Sequence, residues 1–312
     1  MGAFAQDYLG KAGFFSFRTE RQRVFISRVM RVKFWGVRGS IPTPGPGTVH
    51  YGGNTTCVEI RADDEIIILD AGTGLRSLGI SLLEEFKNKP LHLTMLLTHT
   101  HWDHIQGLPF FPPIYNPRCR MKIVGCHGAR KGLSAMLTGQ MESTYFPVAF
   151  DKLPSTIQIE ELQEFNFDIG PVIVRALRAN HPGMCVGYRL FSPDGIVTFF
   201  PDTEPRTGGV DREMVEFVRD SDVLILDSQY DAAGYKTHVG WGHGCVDDSV
   251  ALALQANVKQ LLFFHHDPDS DDRKIDGFVK HARKLVSKAK SKMKVNAASE
   301  GMVIQLPTGK LK

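Results

Sequence analysis

Four residues with metal-ligating side chains lie within six consecutive positions of the chain. They are His99, His101, Asp103 and His104. Imidazole nitrogens and carboxylate oxygens are ligands of zinc, manganese and iron. A single histidine near a strand end usually has a structural role, but four such side chains this close together would be costly to bury without a metal. The spacing therefore predicts a metal site, and one short segment could serve two cations.

The elements that must position these residues can be inferred from the surrounding pattern. The apolar run 91–97 predicts a buried strand that ends just before the cluster. Side chains alternate along an extended strand, so His99 and His101 should project to the same side. A helix that begins near Asp103 would turn Asp103 and His104 back toward the same point.

The pattern His-x-His-x-Asp-His after an apolar strand resembles the signature of the metallo-β-lactamase-fold hydrolases. This resemblance implies three further metal ligands downstream, a histidine, an aspartate and a histidine, each just past a strand. His181 and Asp202 follow predicted strands at the first two places. For the third place the resemblance favours His265, with His266 as the alternative.

A second resemblance concerns the segments around Asp227 and His243. Both are similar to paired motifs in the phosphodiesterase branch of that family, which includes transfer-RNA 3′-processing enzymes and cyclic-nucleotide phosphodiesterases. The resemblance implies that Asp227 orients His243 at the head of a helix, and that His243 protonates the leaving oxygen. The branch usually has Ser-Thr after the histidine, whereas this chain has Gly244-Cys245, which puts the helix cap in question.

The resemblance also implies a distribution of the ligands over two divalent cations. His99, His101 and His181 would hold the first cation, Asp103, His104 and His265 the second, and Asp202 would bridge them. Two such cations lower the pKa of water and neutralise charge on a phosphoryl group. Asp103 would also hold or deprotonate the attacking water. Zinc is the expected metal, with manganese or iron as alternatives.

Two further residues have structural and functional interpretations. Asp70 resembles an aspartate of the family that holds the metal-binding loop rather than the metal. Arg38 lies in a glycine-rich loop that either only permits turns or approaches an anionic substrate, and the sequence leaves both open.

The expected substrate is a small cyclic nucleotide or a similar phosphodiester. The segments Trp35–Ser40 and Tyr51–Cys57 resemble a bacterial group of small phosphodiesterases with cyclic-nucleotide activity. A Gly- and Lys-rich arm, typical of transfer-RNA processing enzymes, is not evident, so nucleic acid is not the favoured partner. The alternatives are an RNA-processing nuclease resembling transfer-RNA 3′-endonuclease and a non-catalytic metal-binding sensor.

Composition limits the class of protein. The net charge of the 312 residues is +3, which does not predict bulk electrostatic binding to nucleic acid. The five cysteines form no CxxC pair and fit a reduced, cytoplasmic protein. No apolar run approaches the ~20 residues that span a membrane. Relatives in this family often form dimers, so a homodimer is an expectation as well.

The predicted fold class is α/β, with an αββα sandwich in which two mixed β-sheets are flanked by helices. We expect an N-terminal extension of unknown structure over residues 1–30 and a hydrolase domain over residues 31–312. The order of strands and helices predicts that all proposed ligands lie at one edge of the sandwich.

Overall fold

The computed structural model describes residues 29–127, 131–206 and 211–306. Apart from its last two residues, the predicted N-terminal extension lies outside these ranges. The sequence pattern also predicts helices over residues 129–137 and 210–218, and the first two residues of the former and the first residue of the latter lie outside these ranges.

Fourteen strands form in the described part of the chain, and most coincide with apolar runs of the sequence. Their bounds are β1 Met30–Gly36, β2 Cys57–Ala62, β3 Glu65–Leu69, β4 Leu91–Leu97, β5 Cys119–Gly125, β6 Thr156–Glu161, β7 Asn166–Ile169, β8 Val172–Arg178, β9 Val186–Ser192, β10 Gly195–Phe200, β11 Val223–Asp227, β12 Gln260–Phe264, β13 Lys294–Ala297 and β14 Val303–Leu306.

Seven α-helices accompany these strands in the described residues, together with short 3-10 turns. Their bounds are α1 Leu75–Phe86, α2 Trp102–Ile105, α3 Leu133–Gly139, α4 Arg212–Val218, α5 Ala232–Tyr235, α6 Val246–Gln255 and α7 Asp272–Lys288. The 3-10 turns are Leu108–Phe110, Pro112–Tyr115 and Phe150–Lys152. No helix among the described residues is both long and apolar enough to cross a membrane.

The strands form two seven-stranded mixed sheets, in the orders β14-β1-β2-β3-β4-β5-β6 and β13-β12-β11-β10-β9-β8-β7. One apolar cluster packs between the two sheets, a second packs under α1 and α3, and a third packs under α4, α6 and α7. On β3, Ile67 and Leu69 face the other sheet, whereas Ile66 and Ile68 face the helices. Side chains alternate along a strand, so each central strand is apolar on both faces. The predicted αββα sandwich is confirmed.

Strands β7 and β13 are absent from the sequence prediction. Both have four residues and carry polar side chains, so neither forms the apolar run that indicates a buried strand. They lie at the two outer positions of the second sheet, where a strand pairs on one side only. Their formation therefore depends on neighbouring strands more than on their own composition.

The parallel strands place their carboxyl ends at a shared edge. Strand β4 pairs in parallel with β3 and β5, and strand β11 pairs in parallel with β10 and β12. In α/β sheets, ligands bind outside the carboxyl ends of such strands. The segments that follow β4, β10, β11 and β12 meet there.

Candidate metal centre

The segment after β4 has the local geometry that the sequence predicts. The backbone of His101 is extended, and α2 begins at the next residue. The backbone N–H of His104 donates to the carbonyl of His101 at 3.0 Å. This turn brings the ring of His99 to 4.4 Å from that of His101 and 4.2 Å from that of His104, centroid to centroid. Asp103 and His104 are both buried.

Asp70 holds this segment in place through hydrogen bonds. Its carboxylate accepts hydrogen bonds from the backbone N–H of Thr98 at 2.7 Å and from the Thr98 hydroxyl at 2.9 Å. The same carboxylate lies 2.8 Å from Nδ1 of His104. With Nδ1 engaged, His104 presents Nε2 to the centre. Asp70 therefore holds the loop and orients one of its histidines.

The second sheet supplies three more side chains to the same place. Nε2 of His181 lies 3.2 Å from Nδ1 of His101, and Nε2 of His265 lies 3.0 Å from Oδ2 of Asp103. One oxygen of Asp202 lies 3.1 Å from Nε2 of His104, and the other lies 3.8 Å from Nε2 of His99.

These contacts bring together the two predicted sets of three ligands. The ligand atoms of His99, His101 and His181 lie within 4.8 Å of one another. Those of Asp103, His104 and His265 do so as well. Asp202 lies between the two sets, with one oxygen toward each.

The structure distinguishes His265 from His266. His265 has a positive φ of 59°, which turns its ring into the centre. His266 points the other way, where its Nε2 donates to the carbonyl of Ala298 at 2.9 Å. Burial lowers the pKa of His266 to about 3, so the ring stays neutral. His266 therefore packs in the interior and His265 faces the cluster.

Asp227 and His243 form the pair that the sequence predicts. Oδ2 of Asp227 lies 3.0 Å from Nδ1 of His243, and Asp227 is completely buried. The His243 ring stacks on that of His265 with centroids 4.9 Å apart. Burial lowers the pKa of His243, but the hydrogen bond and charge of Asp227 outweigh it and raise the pKa to about 9. His243 is therefore cationic at neutral pH.

The departure at Gly244-Cys245 has a structural explanation. Cys245 is the residue before α6 and makes no side-chain hydrogen bond to cap it. A Cβ atom on Gly244 would clash with the backbone carbonyl of Asp227. The close approach of the two chain segments requires glycine here and leaves the position of His243 intact.

Comparison with known proteins agrees with this geometry. A family model described as the β-lactamase superfamily domain matches residues 66–266. The chain belongs to the β-lactamase superfamily.

Ribonuclease Z of Thermoplasma acidophilum is 25% identical to this superfamily member over 305 residues, which cover 82% of this chain and 91% of the relative. Ribonuclease Z of Picrophilus torridus is 21% identical and covers 79% of this chain and 89% of the relative. The chain falls in the phosphodiesterase branch of the superfamily, as predicted, and is a metal-dependent phosphodiesterase.

Solved structures show the same fold. The metallo-β-lactamase fold protein YhfI from Bacillus subtilis has a TM-score of 0.65 and 17% identity, covering 89% of this chain and 99% of that chain. Human tRNase Z, short form, has a TM-score of 0.61 and 20% identity, with the same coverage of both chains.

The chemistry of the cluster fits divalent cations. Nε2 of His99, Nε2 of His104 and Oδ1 of Asp202 are buried and make no well-aligned hydrogen bond within the described residues, although the last two atoms lie 3.1 Å apart. Each of them points into the centre. Such buried polar atoms are costly unless they are bound, and nitrogen and oxygen donors are the ligands that divalent metals take.

The protonation of three candidate ligands, His99, His101 and His181, also suits metal binding. Burial, together with the charge of His104, lowers the pKa of His99 well below its usual value. Burial and a neighbouring histidine lower the pKa of His101, and burial lowers that of His181. Metal binding needs neutral imidazole, and these rings are neutral at pH 7.

Arg38 does not have the substrate-binding role that the sequence left open. Its side chain is completely buried. The guanidinium donates to the carbonyls of Gly52, Asp267 and Ser270 at 3.1, 2.9 and 2.7 Å. Arg38 therefore ties the β1–β2 loop to the loop that follows β12, and it is not available to an anionic substrate.

Sequence reasoning missed two supporting residues, Gln229, which contacts a site histidine, and Glu204, which holds the backbone just before His243. Oε1 of Gln229 lies 2.9 Å from Nδ1 of His265. The carboxylate of Glu204 accepts from the backbone N–H groups of Gly240 and Gly242 at 2.7 and 2.9 Å. Gln229 lies two residues after Asp227, and Glu204 lies two residues after Asp202, so the position just past each strand-end carboxylate was the available signal.

Proposed function

We propose that this protein is an RNA-processing phosphodiesterase that uses two divalent cations, with zinc as the preferred metal. The observation that carries the chemistry is the contact of the Asp227–His243 pair with a cluster of seven candidate ligands. The choice of RNA is supported by the relatives named Ribonuclease Z, which match most of the chain. This proposal replaces the small cyclic nucleotide that the sequence favoured.

The candidate ligands divide between the cations as the sequence resemblance implies. His99, His101 and His181 would hold one cation, and Asp103, His104 and His265 the other, with Asp202 shared. Bound divalent cations supply Lewis-acid chemistry that activates water and offsets the negative charge of a phosphoryl group. The buried carboxylates of Asp70, Asp103 and Asp202 provide a compensating negative charge.

His243 protonates the leaving oxygen in this proposal. Its Nδ1 is engaged by Asp227, which fixes the tautomer and leaves Nε2 to donate. A raised pKa of about 9 keeps the proton available at neutral pH. Asp103 accepts a proton from the attacking water or holds that water in line. The phosphorus–oxygen bond to the leaving group breaks as the bond to the water oxygen forms.

A small cyclic nucleotide remains the second candidate substrate. It is favoured by two sequence features. The segments Trp35–Ser40 and Tyr51–Cys57 resemble small bacterial phosphodiesterases, and a Gly- and Lys-rich arm for a large RNA is not evident in the chain. Both candidates share the phosphodiester group, so the same residues would act on either.

The deciding experiment compares precursor transfer RNA bearing a 3′ trailer with cyclic mono- and dinucleotides, using protein loaded with zinc or manganese. We expect removal of the trailer. His243→Ala should lower kcat by about 10²- to 10⁴-fold, the usual contribution of a general acid, with metal content unchanged.

His92→Ala is the matched control, because His92 is an exposed histidine near the start of β4. It should leave kcat unchanged. Hydrolysis of cyclic nucleotides without any cleavage of RNA would overturn the choice of substrate. Undiminished turnover by His243→Ala would overturn the role of His243.

A further inference from the structure

Two of the three tryptophans of the chain are exposed, and both adjoin the candidate centre. The exposed fractions are 79% for Trp102 and 60% for Trp241. Trp102 lies between His101 and Asp103, and Trp241 lies two residues before His243. The third tryptophan, Trp35, is partly buried and donates its indole N–H to Glu59 at 2.8 Å.

Trp241 is held in a fixed position. The carboxylate of Glu204 binds the backbone N–H groups on both sides of it, at Gly240 and Gly242. The ring of His238 contacts the indole edge to face at 4.7 Å, centroid to centroid. A large aromatic ring on a braced loop therefore remains exposed beside the centre, where a flat partner can contact it.

Trp102 is fixed through its neighbours. Asp103 and His104 are buried in the centre, whereas Trp102, the first residue of the same short helix α2, is exposed. The backbone N–H of Ser40 donates to Asp103 at 2.8 Å, and the next residue, Ile41, is 60% exposed. The indole of Trp102 and the side chain of Ile41 are therefore exposed apolar surface next to the centre.

We propose that Trp102 and Trp241 bind nucleobases on the two sides of the scissile phosphodiester by stacking. This proposal rests on the proposed RNA function and names the part of the RNA that is recognised, an unpaired segment. Aromatic side chains bind successive bases of a single strand because every base has a flat π-face. The net charge of +3 gives little non-specific attraction to phosphates outside the centre, and stacking on the two rings would add affinity there.

The test uses metal-loaded protein and a short single-stranded RNA, together with the same RNA carrying abasic riboses around the cleaved linkage. Trp102→Ala and Trp241→Ala should each raise KM about tenfold, and more than they lower kcat, since stacking holds substrate and transition state alike. Trp102→Phe and Trp241→Phe should have intermediate values. On the abasic RNA, the variants and the wild type should have the same KM.

Phe165→Ala is the control, because Phe165 is also an exposed aromatic residue, at 44%, but precedes the outer strand β7. Its KM should equal that of the wild type. An unchanged KM in the tryptophan variants, or the same rise on abasic RNA, would overturn the inference.

A binding measurement tests the stacking inference separately from the proposed RNA cleavage. If the wild type cleaves no RNA, its affinity for a fluorescein-labelled oligonucleotide, measured by polarisation, decides the inference. A tenfold weaker affinity in the two alanine variants, absent with abasic RNA, would support stacking without cleavage, and an unchanged affinity would overturn it. Sedimentation velocity tests whether a second copy of the chain, instead of RNA, covers the two tryptophans. Conversion of a dimer to monomers by either variant would also overturn the inference.

Discussion

The candidate centre has two halves with different surroundings, here called the outer half and the inner half. The outer half consists of His101 and His181. His101 is exposed, and His181 begins an exposed turn at residues 182–184. The inner half consists of His104 and His265, which are buried.

The two halves are also held by different partners. Nδ1 of His181 lies 3.0 Å from the backbone carbonyl of Gly242. In the inner half, His104 lies against the carboxylate of Asp70, and Nδ1 of His265 lies 2.9 Å from Oε1 of Gln229. The outer half therefore lies on exposed loops, whereas the residues of the inner half are packed in the folded interior as well as facing the centre. Substitutions in the two halves should therefore have different consequences.

The largest expected difference between the two halves is in how much an alanine substitution lowers the free energy of unfolding. Burial lowers the pKa of His104, but Asp103, Asp202 and Asp70 outweigh it and raise the pKa well above its usual value. His104→Ala leaves these buried carboxylates uncompensated and should lower the free energy of unfolding by about 3–5 kcal/mol. His101→Ala removes an exposed side chain and should change it by less than about 1 kcal/mol. Urea unfolding of both variants in the presence of a chelator measures this, and equal losses would remove the distinction between the halves.

The next effect concerns His243, which stacks on His265. Asp227→Asn should lower kcat by about a hundredfold, because the tautomer and charge of His243 are no longer supported. The pKa of His243 is raised to about 9 by Asp227 against the effect of burial, so activity should fall as pH rises through that value. In the variant this alkaline fall should begin at lower pH. An unshifted profile of kcat against pH would contradict the assignment of His243 as the acid.

The outer half can be perturbed through its backbone partner. Gly242 has a φ of +89°, and a Cβ atom there would clash with the ring of His181. Gly242→Ala should weaken metal binding by about thirtyfold. Gly240→Ala is the matched control, because its φ is +87° but no atom lies within 4 Å of the added Cβ. Competition with a metal-binding dye measures both affinities, and equal losses would assign the effect to backbone strain alone.

The smallest effect on metal affinity is expected from Gln229, the uncharged residue that contacts His265 in the inner half. Gln229→Ala removes the contact with Nδ1 of His265 and should weaken metal binding by about tenfold, the lower end for such supporting residues. Gln158→Ala, on the outer strand β6, should have no effect. The same dye competition applies. A loss larger than that of Gly242→Ala would show that the inner half depends more on its partner than the outer half does.

The sequence by itself determined the centre of the site. The spacing of His99, His101, Asp103 and His104 after an apolar strand predicts a turn with converging side chains, and this geometry is local. Apolar runs also indicated most of the buried strands, because a strand that is buried on both faces consists almost entirely of apolar residues. The resemblance then indicated His181, Asp202 and His265 by their order in the chain.

The tertiary structure alone decided which groups meet across long distances. His265 and Asp103 are 162 residues apart, and only the order of strands in the two sheets brings them within 3.0 Å. It also placed His266 and Arg38 in the interior, since the direction of each side chain depends on the loops that pack around it. Local spacing is fixed by the covalent chain, whereas contacts between distant segments are selected by the packing of the whole sandwich.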